Sequence, residues 1–260
     1  MEAKELTSLA RFLESAERNR QEVPRITLQH PSLTVDEAYD IQAEIVKLKV
    51  ENGSRVIGPK MGLTSAAKMK QMGVEEPIFG YVFDYMVVPN GGTIRFDELI
   101  HPKAEAEIAF VLDKDLEGPD VTIEQVLEAT RYVLPALEII DSRYENFKFT
   151  LPDVIADNTS ASRVVFGDRL IKPSELELDL IGATMLFNGE SKAFGASAAV
   201  LGHPARSIAM LAAMLSRKGG GLRAGEVILS GAITEAVMFA QGDYVVGKFD
   251  VLGDVSFLCK

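Results

Sequence analysis

Glu105 and Glu107 stand two positions apart in HPKAEAEIAFVL, residues 101 to 112, a run that otherwise has the composition of a core strand. Side chains alternate along a strand, so Ala104, Ala106, Ile108, Phe110 and Leu112 form one wholly apolar face. Lys103, Glu105, Glu107, Ala109 and Val111 form the other, which turns apolar two residues beyond the second acid. That pattern fits a strand covered on both faces, its glutamates at the end where a cavity opens. With Cα atoms about 7 Å apart, the two carboxylates repel unless a cation lies between them or one holds a proton. Oxygen donors at this spacing suit Mg²⁺ or Mn²⁺. A solvated edge strand whose glutamates meet lysines is the competing reading. A third acid, Glu138, lies inside the apolar run Val133 to Ile140. Three such carboxylates hold a divalent ion on one face and leave about three octahedral positions open. Paired instead with Arg143 or a distant base, Glu138 would be structural, and Asp141 with Arg143 reads as a structural salt bridge. Lys60, between glycines in IGPKMGLTS, can approach an anion closely or act as an acid, or be an ordinary surface lysine. PDVIADNTSASRVVFG, dense in hydrogen-bonding residues before a strand, is either a turn or a ligand loop, and LSGAIT (229–234) ends a strand in small and hydroxylated residues.

The elements that must position these residues are of two kinds. Residues 1–55 read as a helical N-terminal segment, with a stripe at Leu6, Leu9, Ala10 and Leu13 and a capping box at Thr34 and Glu37 opening a second helix that ends at Gly53. Residues 56–260 alternate short β-branched and aromatic runs with Gly, Pro, Asn and Asp, and only TIEQVLEATRYVL and HPARSIAMLAAMLSRKG read as helices between them. Many strands with few helices predict an α+β protein with a rolled or sandwiched sheet, rather than a doubly wound parallel one, and one continuous domain. The net charge of −11 argues against nucleic acid and anionic membranes as partners, and an anionic ligand needs positive charge supplied locally. The lone cysteine, Cys259, rules out an internal disulfide or cysteine metal site. The charged N-terminus and the short apolar runs predict a cytoplasmic protein.

GPKMGLTSAAKMKQMGVEEPIFGYVFDYM, HPKAEAEIAFVLDKD, PALEIIDSRYENFKFTLPDVIADNTSASRVVFG, GHPARSIAMLAAML and LSGAITEAV together closely resemble the 4-oxalocrotonate (2-oxo-3-hexenedioate) decarboxylases. These share a group with the 2-hydroxypenta-2,4-dienoate hydratases inside the fumarylacetoacetate hydrolase superfamily, and the resemblance runs from about residue 34 to the end. It implies the mixed β-sandwich roll of the fumarylacetoacetase C-terminal domain and a metal, Mg²⁺ or Mn²⁺, held by Glu105, Glu107 and Glu138. It also implies loss of CO₂ from 2-oxo-3-hexenedioate to give 2-hydroxypenta-2,4-dienoate, in the meta-cleavage breakdown of aromatic compounds.

The sister hydratases carry an aspartate where this sequence has Ile78, and decarboxylation instead needs apolar surroundings for the departing carboxylate. Ile78 with Met61 or Met72 is expected to form that wall. Lys60 is the expected catalytic residue, stabilising the enolate oxygen or relaying its proton, while Ser160 and Thr234 are expected to bind the substrate carboxylate. Arg18, Arg20 or Arg25 is expected to close over the dianion. The superfamily's C–C hydrolases rely on a His–Glu pair, whereas His101 and His203 each precede a proline and read as structural. The expected partners are the small dicarboxylate, further copies in a homo-oligomer, and the hydratase. Two other functions stay open: the hydratase activity itself, and a non-catalytic subunit that partners the hydratase.

Overall fold

The computed structural model describes residues 1 to 65, 69, 70 and 73 to 260. It opens with two 17-residue helices, α1 (Ala3–Asn19) and α2 (Val35–Glu51). Glu37 donates its N–H to the Thr34 hydroxyl at 3.2 Å and its carboxylate accepts the Thr34 N–H at 3.0 Å, the capping box expected from sequence. The buried stripe of α1 is shifted by a turn: Ala10, Leu13 and Ala16 are buried, whereas Leu6 and Leu9 are only partly covered.

Among the described residues thirteen strands follow: β1 (Val56–Gly62), β2 (Ile78–Phe83), β3 (Val87–Val88), β4 (Gly92–Ile94), β5 (Lys103–Leu112), β6 (Thr130–Ile140), β7 (Ala161–Phe166), β8 (Gly182–Phe187), β9 (Glu190–Ala196), β10 (Val227–Ala232), β11 (Val237–Met238), β12 (Tyr244–Phe249) and β13 (Gly253–Cys259). Among the described residues three helices lie between them: α3 (Ile123–Ala129), α4 (Leu151–Ala156) and α5 (Pro204–Ser216). The larger sheet has the order β2-β1-β10-β5-β6-β7-β3, with β11 also on β5, and the smaller has β4-β13-β12-β8-β9. Antiparallel pairs predominate, but β1 with β10, β3 with β7 and β4 with β13 run parallel. The result is a mixed-sheet α+β fold.

β5 is central to the larger sheet and covered on both faces. Ala106, Ile108 and Phe110 enter the main core with Met185, Val245 and Phe257 of the smaller sheet, and Leu13 and Ile41 of the N-terminal helices belong to that same core. Ala109 joins a second cluster with Phe83, Met86, Leu134, Val164 and Leu229. The edge-strand reading of the glutamates therefore fails.

Two sequence expectations change. TIEQVLEATRYVL is helical only to Ala129; from Thr130 the chain is strand, because Pro135 cannot continue a helix and the β-branched and aromatic residues pair with β5. Ser197–Ser216 reaches the length and hydropathy of a membrane span, longer than the apolar runs noted above. It is broken, however: its α-helical part, α5, has 13 residues, about 20 Å by helix rise, and packs its apolar side against β10, β1 and α3.

Candidate metal centre and catalytic cavity

The antiparallel register of β5 and β6 sets Glu105 directly opposite Glu138, with Glu107 one rung further in, opposite Ala136. One carboxylate oxygen from each acid lies within 4.8 Å of the others, and all three side chains are buried. Burial pushes Glu107 well above the usual carboxylate range, and the charges of Glu138 and Glu105 add to the effect. Glu138 is also raised, first by burial, with Lys60 opposing. Glu107 Oε1 and Glu138 Oε2 are buried with no hydrogen-bond donor among the described residues. A hard divalent cation that takes carboxylate oxygens satisfies those atoms and removes the repulsion, so the donor set fits Mg²⁺ or Mn²⁺.

The remaining oxygen of Glu107, Oε2, accepts the Gly231 N–H at 2.9 Å. Gly231 sits where the β10 register slips between Leu229 and Ala232, with φ of 108°, and a Cβ there would lie 2.1 Å from Thr64 Oγ1. Gly231→Ala is therefore expected to destabilise the fold by about 2 kcal/mol, from backbone strain and the clash, lowering the melting temperature by roughly 4–8 °C for a chain of this size; a thermal melt checks this.

Lys60, on β1, is almost fully buried. Its Nζ lies 2.6 Å from Glu138 Oε1 and donates to the Thr159 carbonyl at 3.0 Å. The segment presenting that carbonyl is strained: Asn158, Thr159 and Ser160 have φ of 48°, 54° and 57°, three consecutive non-glycine residues in the left-handed region. Two devices hold them there. Asn158 accepts the Tyr81 N–H at 2.8 Å and donates to the Tyr81 carbonyl at 2.9 Å, docking the segment on β2. Arg143, fully buried, donates to the Asp157 carboxylate and carbonyl and, at 2.9 Å each, to the carbonyls of Asp141 and Ala161. The expected Asp141–Arg143 salt bridge is thus replaced by Arg143 with Asp157, and the Asp141 carboxylate takes the N–H groups of Ile100 and His101 at 2.9 and 2.8 Å. Both arrangements fix the loops that enter β5 and β7.

Lys60 and Glu105 line a cavity of about 620 Å³. Ile78, Met61 and Val154 supply apolar wall, Thr159 and Ser160 supply polar groups, and the Ser160 Oγ is buried without a partner among the described residues. Met72, expected in the same wall, lies outside the described residues. Thr234 does not line the cavity: its Oγ1 accepts the Ala106 N–H at 3.2 Å, a link between β5 and the segment after β10. Of the N-terminal arginines only Arg25 reaches the cavity, while Arg18 and Arg20 line a separate cleft beside Glu98 and Arg163. None of the histidines lines it; His203 caps α5, its Nδ1 accepting the Ala205 N–H at 3.0 Å. Sequence reasoning passed over Lys103, Phe147 and Lys148, which do line it. For Lys103 the signal was present, since it precedes Glu105 by two on the same strand face; the other two lie on an irregular loop with no periodicity to read.

Residues 59–257 match the family described as fumarylacetoacetate (FAA) hydrolase C-terminal. The chain belongs to the fumarylacetoacetate hydrolase family. Within that family it is 48% identical over 252 residues to the 4-oxalocrotonate decarboxylase of Pseudomonas sp. (strain CF600), covering 97% of this chain and 96% of that one. It is 40% identical over 256 residues to the 2-oxo-hept-4-ene-1,7-dioate hydratase of Escherichia coli, covering 96% of each. Among solved structures of the family, the 4-oxalocrotonate decarboxylase from Pseudomonas putida G7, complexed with magnesium and adipate, superimposes with a TM-score of 0.99 at 45% identity, over 100% of this chain and 99% of that one.

Proposed function

We infer that this chain is a metal-dependent decarboxylase that converts 2-oxo-3-hexenedioate (4-oxalocrotonate) to 2-hydroxypenta-2,4-dienoate and CO₂, as a step in the meta-cleavage breakdown of aromatic compounds. The observation that carries the reading is one cavity lined by Lys60, by Glu105 of the buried acid triad and by the apolar side chains of Ile78 and Met61. Identity of 48% and 47% to two 4-oxalocrotonate decarboxylases, against 40% and 42% to two hydratases, supports it.

A divalent cation on Glu105, Glu107 and Glu138 supplies Lewis acidity at the 2-oxo end of the substrate. The carboxylate at the other end stands, through the C3–C4 alkene, in a vinylogous β-keto-acid relation to the carbonyl. As its C–C bond breaks, the electron pair moves through the alkene to the 2-oxo oxygen and CO₂ leaves. Ile78 and Met61 keep water from the departing carboxylate, which favours its neutral product. Lys60 has three N–H bonds; Glu138 and the Thr159 carbonyl direct two, and the third supplies the proton that completes the enol.

Ile78→Asp is expected to raise KM for 2-oxo-3-hexenedioate by about 10²-fold without lowering kcat, because a second carboxylate about 5 Å from the departing one opposes binding by roughly 3 kcal/mol and that repulsion is relieved as CO₂ leaves. Ile78→Asn, of similar shape and uncharged, raises it less; a coupled CO₂ assay on both variants checks this.

The central test supplies the protein with Mg²⁺ and 2-oxo-3-hexenedioate, measuring CO₂, then with 2-hydroxypentadienoate, measuring loss of the diene. Rapid diene loss without CO₂ would make it a hydratase; neither activity would point to a non-catalytic partner of the hydratase. The reading includes a homo-oligomer acting in the cytoplasm, associated with the hydratase that consumes its product. Light scattering with and without the hydratase measures that assembly.

A further inference from the structure

One rung out from the acid triad, the β5/β6 ladder places Lys103 opposite Ile140, and both line the cavity. Lys103 shares the strand face of Glu105, its Cα about 7 Å away by strand rise. Among the described residues no carboxylate forms an ion pair with it. Its ammonium rests instead 3.9 Å from the centroid of the Phe147 ring. That ring is held in place at some cost: Asn146 and Phe147 both have φ of 57°, and the ring packs against His101 and Phe149 at centroid distances of 5.3 and 5.7 Å. The Asn146 N–H donates to Glu22 at 3.0 Å, tying the loop to the N-terminal segment. A strained loop thus parks a cation that has no ion-pair partner among the described residues one rung from the metal ligands.

The ends of an extended six-carbon chain lie about 6 Å apart by ordinary bond lengths, close to that one-rung offset. We propose that Lys103, cradled by Phe147, recognises the carboxylate at the far end of a six-carbon 2-oxo dicarboxylate and so selects dicarboxylates over monocarboxylates at this site. The assignment rests on the decarboxylase reading above and names what sets its substrate class. The carboxylate that Lys103 binds loses its charge on becoming CO₂, so the contact stabilises bound substrate rather than the bond-breaking step. The Phe147 face then takes the ammonium back. Arg25 and Lys148 reach the same cavity, but neither stands on the ladder, and Lys148 is exposed to solvent.

The test is calorimetric binding of 2-oxoadipate and 2-oxohexanoate to the Mg²⁺-loaded protein, a pair that differs only in the far carboxylate. The parent should prefer 2-oxoadipate by at least about tenfold, the range of a charged hydrogen bond. Lys103→Met should bring the two within about twofold while leaving 2-oxohexanoate affinity unchanged, and Lys103→Arg should keep the preference. With 2-oxo-3-hexenedioate, Lys103→Met should raise KM and should not lower kcat, because the contact it removes weakens as the carboxylate loses its charge. The proposal is overturned if the parent shows no preference, if the preference survives Lys103→Met, or if Arg25→Gln abolishes it instead. Should Lys103→Met not fold, Lys103→Gln provides the same comparison. Absence of CO₂ release by the parent would count against the decarboxylase reading alone, because the binding preference is measured without turnover.

Discussion

Glu107→Gln is expected to lower kcat/KM for CO₂ release by about 10³-fold at fixed Mg²⁺, since Lewis acidity at the reacting oxygen is worth several kcal/mol and each 1.4 kcal/mol is tenfold. Glutamine keeps the size of the side chain and an oxygen for the Gly231 N–H, so the packing around β5 survives. The metal-free variant should be at least as stable as the metal-free parent, because the substitution removes a buried acid whose ionised form faces Glu138 and Glu105. The parent gains stability from Mg²⁺, about 2.7 kcal/mol at a hundred times its Kd, because the cation binds only the folded triad. Melting temperatures of both proteins with and without Mg²⁺ separate lost ligation from misfolding. If the variant's melting temperature rose with Mg²⁺ as much as the parent's, Glu107 would not be a ligand.

Lys60→Met should behave differently. The loss of its proton donor is expected to lower kcat by about 10²–10⁴-fold. Mg²⁺ affinity should hold or tighten, because the ammonium lies 2.6 Å from Glu138 Oε1 and competes with the cation for that carboxylate. Without metal the variant should be less stable than the parent, since removing one partner of a buried ion pair leaves the other uncompensated, a cost on the order of 3–5 kcal/mol. Calorimetric titration with Mg²⁺ beside a kcat measurement distinguishes the two variants: Glu107→Gln loses metal and rate together, and Lys60→Met loses rate alone. A kcat within about threefold of the parent would remove Lys60 from the chemistry.

Much of the site was readable in sequence because β5 has a period of two: an apolar face of Ala104, Ala106 and Ile108 leaves Glu105 and Glu107 on the other, and only a covered strand explains why that face turns apolar at Ala109. Local rules likewise gave the helix start at Thr34 and a structural role for His203, which caps α5. They misled at residues 122–134, where Thr122 does open a helix but pairing with β5 takes over from Thr130. They misled again at Arg143, whose neighbour in sequence was Asp141 but whose partner in space is Asp157. Thr234 had suitable chemistry and the wrong direction, turned back onto β5.

The sequence by itself determined which residue types stand on which face of a strand, because that follows from backbone geometry over a few residues, and it determined the family through long ordered phrases. Only the tertiary structure decided that Glu138 stands opposite Glu105, that Lys60 reaches Glu138 through a sheet in which β1 runs parallel to β10, and that Lys103 faces Phe147. Register between distant strands and the path of an irregular loop are set by packing over the whole core, and no local periodicity encodes them.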